Sequence, residues 1–345
     1  MSEIIINGRK IGEKYPPFII VEIGINHNGS FKKAIRMVDD AYEAGAECVK
    51  FQDHVIDDEM IPEAKNVIPG NANESIWNIM EKATLSNQEI IDLKKYVESK
   101  GMLYLSTPFS RASADRLNKL GVKAFKIGSG ECNNYPLVSH IASFGKPIIL
   151  STGMNDIKSV AKAVKILRKS KVKYVLMQCT SIYPTPYEKV NLGAISDLKE
   201  AFPDAVIGLS DHSLGIYTCL GAVSLGASVF EKHFTSNKKW DGPDVAISID
   251  ALELKQLIEG TAVIHTALGG KKKILIEEQP TIDFAYACVV TIKKIKIGDI
   301  LTKDNIWVKR PGTGEIKAVE YDKLLGKKVK TNINKNTQLK WSDIR

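Results

Sequence analysis

The stretch VIGLSDHSLG, residues 206–215, begins as a buried apolar run and then breaks into Ser210, Asp211 and His212 before a glycine. Polar residues often close a strand because they cap the next helix, so one such ending proves little. Its recurrence decides the fold. Short β-rich runs occur at FIIVEIG (18–24), ECVKFQ (47–52), MLYLST (102–107), AFKIGS (124–129), PIILSTG (147–153), YVLMQCTS (174–181), VIGLSDH (206–212) and SVFEKHF (228–234). Amphipathic segments of helical period separate them, such as SFKKAIRMVDDAYEAG and SNQEIIDLKKYVESKG, each closing on glycine. Eight β/α units in about 250 residues predict a (β/α)₈ TIM barrel. An open doubly wound sheet is the alternative, weakened by the absence of G-x-G-x-x-G after the first strand.

All eight runs end in polar or ionisable residues: Glu22; Lys50 and Gln52; Thr107; Lys126 with Ser129; Ser151 and Thr152; Thr180 and Ser181; Ser210 with His212; and Glu231 to His233. In a barrel those ends converge on the face that carries active sites. For any single Ser or Thr the alternative is a helix cap. Lys50 and Lys126 among the hydroxyls of Thr107, Ser129, Ser151 and Ser210, with glycines at 128, 130, 153 and 208, describe a pocket for a small, highly charged anion. His212 and His233 end neighbouring runs, so their imidazoles could meet one divalent ion with open remaining positions. The alternative gives one histidine a base role and the other a core hydrogen bond. His27, just past the first run, is a third candidate.

Composition frames these readings. The chain has 345 residues, 44% apolar and 26% charged, which suits one large core plus a smaller domain. No apolar run approaches the roughly 18 residues of a membrane span, and the start lacks the pattern of a signal peptide. A cytoplasmic location is therefore the default expectation, and five scattered cysteines without a CxxC pair point to reduced thiols and against a disulfide scaffold or a zinc ribbon. Residues 271–345 hold 17 Lys+Arg against 9 Asp+Glu, the whole of the net +8. In TIKKIKIGDILTKDNIWV the lysines alternate with aliphatic residues and few aromatics, which argues for a solvated strand face or a domain facing an anionic substrate and against nucleic-acid binding.

The blocks EIGINHNGS, KFQDH, STPFSR, KIGSGECNNYPL, STGM, CTSIYPTPYE, GLSDHS, EKHFTSN with GPD, EEQPTIDFAYA and IWVKRPGTG resemble, in this order, the signatures of the bacterial-type N-acetylneuraminate (sialic acid) synthase family. The resemblance spans about residues 4 to 340. It implies a TIM barrel over 1–270, a linker at 271–284, and a small, mostly β antifreeze-like (SAF, β-clip) domain over 285–345, in a domain-swapped homodimer. The implied reaction joins phosphoenolpyruvate to an open-chain N-acetylated amino sugar, N-acetylmannosamine in the type case, and releases phosphate by C–O cleavage.

Carried over by motif, Lys50, Thr107, Lys126, Ser129, Ser151, Ser181 and Ser210 would hold phosphoenolpyruvate. His212 and His233 would hold a divalent metal, Mn²⁺ first, with Mg²⁺ or Co²⁺ as alternatives, which would polarise the sugar aldehyde. Glu131 is the expected proton-handling carboxylate, with Glu22 second, and Lys50 completes the expected catalytic set. Gln52, Glu131, Tyr183 and Asp244 resemble sugar-contacting positions. Arg310 resembles the arginine that reaches a partner's barrel, where a guanidinium fork can orient an N-acyl carbonyl. Two positions depart from the family pattern: Ser181 stands where asparagine is expected and Asp53 where threonine is common, both expected near substrate. The segment 57–75 exceeds a usual βα loop and is expected to cover the mouth or build a dimer contact. Legionaminic or pseudaminic acid synthases, which use 2,4-diacetamido sugars, are the neighbouring reading. A catalytically silent carbohydrate-binding protein is the remote one.

Overall fold

The computed structural model describes residues 2–345, and the chain divides into two compact units, Met1–Gly269 and Gly270–Arg345. A hairpin of β1 (Ile4–Ile6) and β2 (Arg9–Ile11) opens the first unit. Eight parallel strands follow: β3 (Phe18–Gly24), β4 (Cys48–Asp53), β5 (Leu103–Pro108), β6 (Phe125–Ile127), β7 (Ile148–Ser151), β8 (Tyr174–Cys179), β9 (Val206–Asp211) and β10 (Val229–His233). They hydrogen-bond in the order β5-β4-β3-β10-β9-β8-β7-β6, and β5 packs beside β6 to close a TIM barrel. All eight runs read from the sequence are strands, and helices such as Phe31–Glu43, Asn87–Ser99 and Ile157–Lys169 lie between them.

The two-residue period of a strand sorts every side chain. Phe18, Ile20 and Glu22 point into the barrel, while Ile19, Val21 and Ile23 join the outer core against the helices. The same parity places Cys48 and Lys50 inside with Gln52, Leu103 and Leu105 with Thr107, Val206 with Ser210, and Val229 with Glu231. The lower interior is therefore apolar and is capped from below by Ile4, Ile6 and Ile11 of the hairpin. Only the top layer is polar. Crowding in the interior explains Gly208, where a Cβ would stand 2.5 Å from the Val229 carbonyl.

Helix caps come from residues beyond the strand ends. Ser30, Ser86, Ser110 and Asp156 accept from the third residue of their helices, and Ser86 forms a capping box with Glu89. Thr107, Ser151 and Ser210 are consequently free for the mouth. The long segment 57–75 contains a 3₁₀ turn, Pro62–Asn66, and its Asn71 donates to the Pro243 carbonyl at 3.3 Å.

The second unit is a small β structure in which β11 (Cys288–Thr291) pairs antiparallel with β12 (Ile306–Lys309). Its own core holds Val289, Ile295, Leu301, Ile306, Leu324 and Leu339 among others. The segment expected as a linker, 271–284, carries a 3₁₀ turn at Ile276–Glu278 and most of a helix, Gln279–Ala285, and falls within this unit. Pro280 in the first turn of that helix is the local reason, since proline suits a helix start. Among the described residues no helix is long and apolar enough to cross a membrane.

Candidate active site

Register brings the polar layer together. Glu22 lies opposite Lys50 on β4 and opposite His233 on β10, while Glu231 lies opposite Ser210. Lys50 Nζ sits 2.5 Å from Glu22 Oε2, 3.6 Å from Glu231 Oε2 and donates to Thr107 Oγ1 at 3.0 Å. Lys126 Nζ donates to Ser151 Oγ at 2.7 Å and stands 3.5 Å from Glu231 Oε1, which also accepts from Ser210 at 3.0 Å. Each lysine of the pocket thus has a carboxylate beside it, Glu22 and Glu231 at Lys50 and Glu231 at Lys126. Burial in low dielectric explains why, because an unpaired charge there is costly.

Glu231 is the residue that sequence reading left without a role. It joins both lysines and Ser210, and its parity with Val229 and His233 was the available signal. Burial pushes Glu22 up to about 7, against the pull of Lys50. Burial likewise lowers Lys126, while at Glu231 the two lysines outweigh burial and hold the carboxyl low.

Ser129 and Ser181 flank Gly153. The Ser129 hydroxyl accepts from the Gly153 N–H at 3.0 Å, and a Cβ on that glycine would meet Ser181 Oγ at 2.5 Å and Ser129 Oγ at 2.8 Å. Of the four glycines singled out, Gly153 is the one whose bareness lets site hydroxyls approach. Gly208 serves interior packing, and Gly128 and Gly130 are not crowded.

His212 and His233 stand with ring centroids 5.4 Å apart, and the Tyr183 ring packs 4.3 Å from His212 and 6.4 Å from His233. His212 Nδ1 pairs with the Thr180 carbonyl at 3.0 Å, which fixes the tautomer and leaves Nε2 as the free donor. His233 Nδ1 is buried without a hydrogen-bond partner, 3.7 Å from Asp244 Oδ2. Burial holds His233 well below its ordinary value, so the ring is neutral, and pushes Asp244 up to about 6. At His212 burial is outweighed by Cys179, whose Sγ lies 3.8 Å from Nδ1, and the ring is pushed up to about 9, so a cation taken up at Nε2 would have to displace a proton from it. A buried nitrogen left without a partner, with the second imidazole 5.4 Å away between ring centroids, would suit a divalent cation. Among the described residues no three His, Cys, Asp or Glu side chains form a ready-made cage, so the protein would supply few ligands. His27 is engaged locally, its Nδ1 accepting from the Gly29 N–H at 3.2 Å.

Gln52 donates to Glu22 Oε1 at 3.3 Å, and its carbonyl faces His54 Nε2 at 3.2 Å; His54 Nδ1 pairs in turn with Glu59 at 2.8 Å. Glu131, in the 3₁₀ turn Ser129–Glu131, is half-buried, accepts from Asn134 at 2.6 Å and is raised by burial. It makes no hydrogen bond to the lysine cluster among the described residues. Arg310 follows β12 in the second unit, exposed, with its guanidinium 5.6 Å from the Phe284 ring.

Asp53 does not lie in the pocket. Strand parity turns it outward, where Arg116 grips it at 2.7 and 3.1 Å and Ser113 donates at 2.7 Å. Its departure from the family pattern therefore changes an ion pair behind the barrel wall.

Fold and site together define a TIM-barrel protein with a polar mouth and an appended small β domain. The chain belongs to the NeuB family, whose model matches residues 37–273, and carries a SAF domain at residues 286–345. It is 40% identical to an N,N'-diacetyllegionaminic acid synthase of Campylobacter jejuni, covering 90% of this chain and 94% of that protein. It is 33% identical to the human N-acetylneuraminate-9-phosphate synthase, covering 95% and 93%. A crystal structure of an N-acetylneuraminic acid synthetase from Leptospira borgpetersenii, in complex with citrate, superposes with a TM-score of 0.75 at 35% identity, covering 81% of this chain and 95% of that one.

Proposed function

We propose that the protein condenses phosphoenolpyruvate with an N-acetylated amino sugar and water, giving a sialic-acid-type keto acid and inorganic phosphate. The observation that carries this reading is the convergence of Lys50 and Lys126 with Thr107, Ser151 and Ser210 in one buried layer, with Ser129 and Ser181 beside it. Two ammonium groups and a ring of hydroxyls suit a compact polyanion. Binding requires each lysine to loosen its carboxylate, and Glu22, held at about 7, is ready to take up a proton as the anion enters.

The enol C3 attacks the sugar aldehyde carbon and forms the new C–C bond; water adds to the cationic C2, and the C2–O bond breaks with the bridging oxygen leaving on phosphate. Glu131, raised by burial, handles the protons, with Glu22 as the second carboxylate. Gln52, Tyr183 and Asp244 face the sugar. A divalent cation on His212 and His233, Mn²⁺ before Mg²⁺ or Co²⁺, would supply Lewis acidity toward the aldehyde oxygen. Arg310, exposed in the SAF unit, is free to reach a partner's barrel in a domain-swapped homodimer. All five cysteines are unpaired and buried, which supports the cytoplasmic location.

N-acetylmannosamine is the acceptor expected from the sequence. A specific observation supports a second reading, a 2,4-diacetamido-2,4,6-trideoxyhexose: the 40% identity to a legionaminic acid synthase exceeds the 33% to the human N-acetylneuraminate-9-phosphate synthase. Incubation with phosphoenolpyruvate, Mn²⁺ and each sugar separately, with the product weighed by mass spectrometry, tests both. A keto acid from one sugar identifies the acceptor; no phosphate release with any of them would leave the binding-protein reading.

A further inference from the structure

Each histidine of the pair follows one member of a buried ion pair in the chain. Asp211 precedes His212, and Lys232 precedes His233. Because strand side chains alternate, the histidines face the mouth while Asp211 and Lys232 face outward, opposite each other in register on β9 and β10. Lys232 Nζ lies 2.6 Å from Asp211 Oδ2, and both side chains are 1% exposed. Asp211 also accepts from the Ser213 N–H at 3.1 Å, the Ser213 hydroxyl at 3.0 Å and the Thr218 hydroxyl at 2.9 Å, and Lys232 donates to the Ser213 carbonyl. Both chain neighbours of His212 are thereby tied to the chain neighbour of His233.

A buried ion pair is a poor device for stability alone. Its desolvation offsets most of its attraction, and apolar residues of similar volume often hold a fold as well or better. What it adds is direction: a fixed contact with saturated donors selects one register and one turn conformation. We propose that Asp211 and Lys232 are positioning residues, which set the separation and orientation of His212 and His233 so that the two rings can share one cation. Neither touches cation or substrate. The affinity part of this inference rests on the cation reading given above; the geometric part does not.

The test removes both charges together, since a single change would strand the other charge. The double variant Asp211→Leu with Lys232→Met is expected to keep the wild-type melting temperature while its Mn²⁺ affinity, read from free Mn²⁺ by electron paramagnetic resonance, falls by about 10- to 100-fold. Its crystal structure is expected to show the ring centroids displaced from their 5.4 Å separation. Wild-type Mn²⁺ affinity with unmoved rings would overturn the proposal. If the double variant does not fold, Thr218→Val removes one donor to Asp211 and no charge, and is expected to cost several-fold in Mn²⁺ affinity; unchanged affinity there counts against it equally. His212→Ala serves as the control. If the wild type itself binds no Mn²⁺, the cation reading fails, and the ring separation in the variant crystal still decides the positioning role.

Discussion

Lys126 and Glu231 meet 3.5 Å apart across the barrel mouth, and both are buried. Glu231 keeps Lys50 and Ser210 when Lys126 is lost, so Lys126→Met is expected to fold. A charge-assisted hydrogen bond is worth about 1.5–3 kcal/mol, roughly a 10- to 100-fold rise in the KM for phosphoenolpyruvate. Steady-state kinetics read this directly. An unchanged KM would remove Lys126 from the anion site.

Glu22 links stability to pH. Its carboxyl is raised from an ordinary 4.5 to about 7 by burial, so the folded state holds a proton that the unfolded state has released. The contribution is fully present below about 4.5 and is lost as pH rises through about 7. The melting temperature of the wild type should therefore fall relative to that of Glu22→Gln between pH 5 and 8. Parallel profiles would contradict the shift.

Gly153→Ala tests the crowded edge of the pocket. The added Cβ would meet Ser181 Oγ at 2.5 Å and Ser129 Oγ at 2.8 Å, so those hydroxyls must move. We expect weaker phosphoenolpyruvate binding with a small change in melting temperature. Binding calorimetry against thermal melts separates the two effects.

Arg116→Leu probes the opposite case, an ion pair remote from the mouth. It leaves Asp53 buried with only Ser113 to donate to it, which costs a protein of this kind about 3 kcal/mol. The expected result is a melting temperature several degrees lower with both KM values unchanged. A selective rise in one KM would return Asp53 to the substrate site.

Strand parity made much of this legible in the sequence. FIIVEIG already determines that Glu22 faces inward with Phe18 and Ile20, and the same count in CVKFQD sends Asp53 outward, against the expectation that it lies near substrate. Glu231 could have been found in this way, from its parity with His233. The partners were not legible. Arg116 reaches Asp53 across 63 residues, and the pairing of the mouth lysines with Glu22 and Glu231 arises only when β3, β4, β6 and β10 converge. The helix at Gln279–Ala285 is not read from the residues, because the stretch 271–284 is assigned as a linker only from the resemblance.

Condensation at this mouth requires cleavage of the C–O bond of phosphoenolpyruvate. Phosphoenolpyruvate carrying ¹⁸O in its bridging position, turned over with Mn²⁺ and the accepted amino sugar, tests it most directly. The label is expected to leave on inorganic phosphate, and the keto acid product to contain none of it. Label retained in the organic product, or phosphate released without any acceptor sugar, would contradict it.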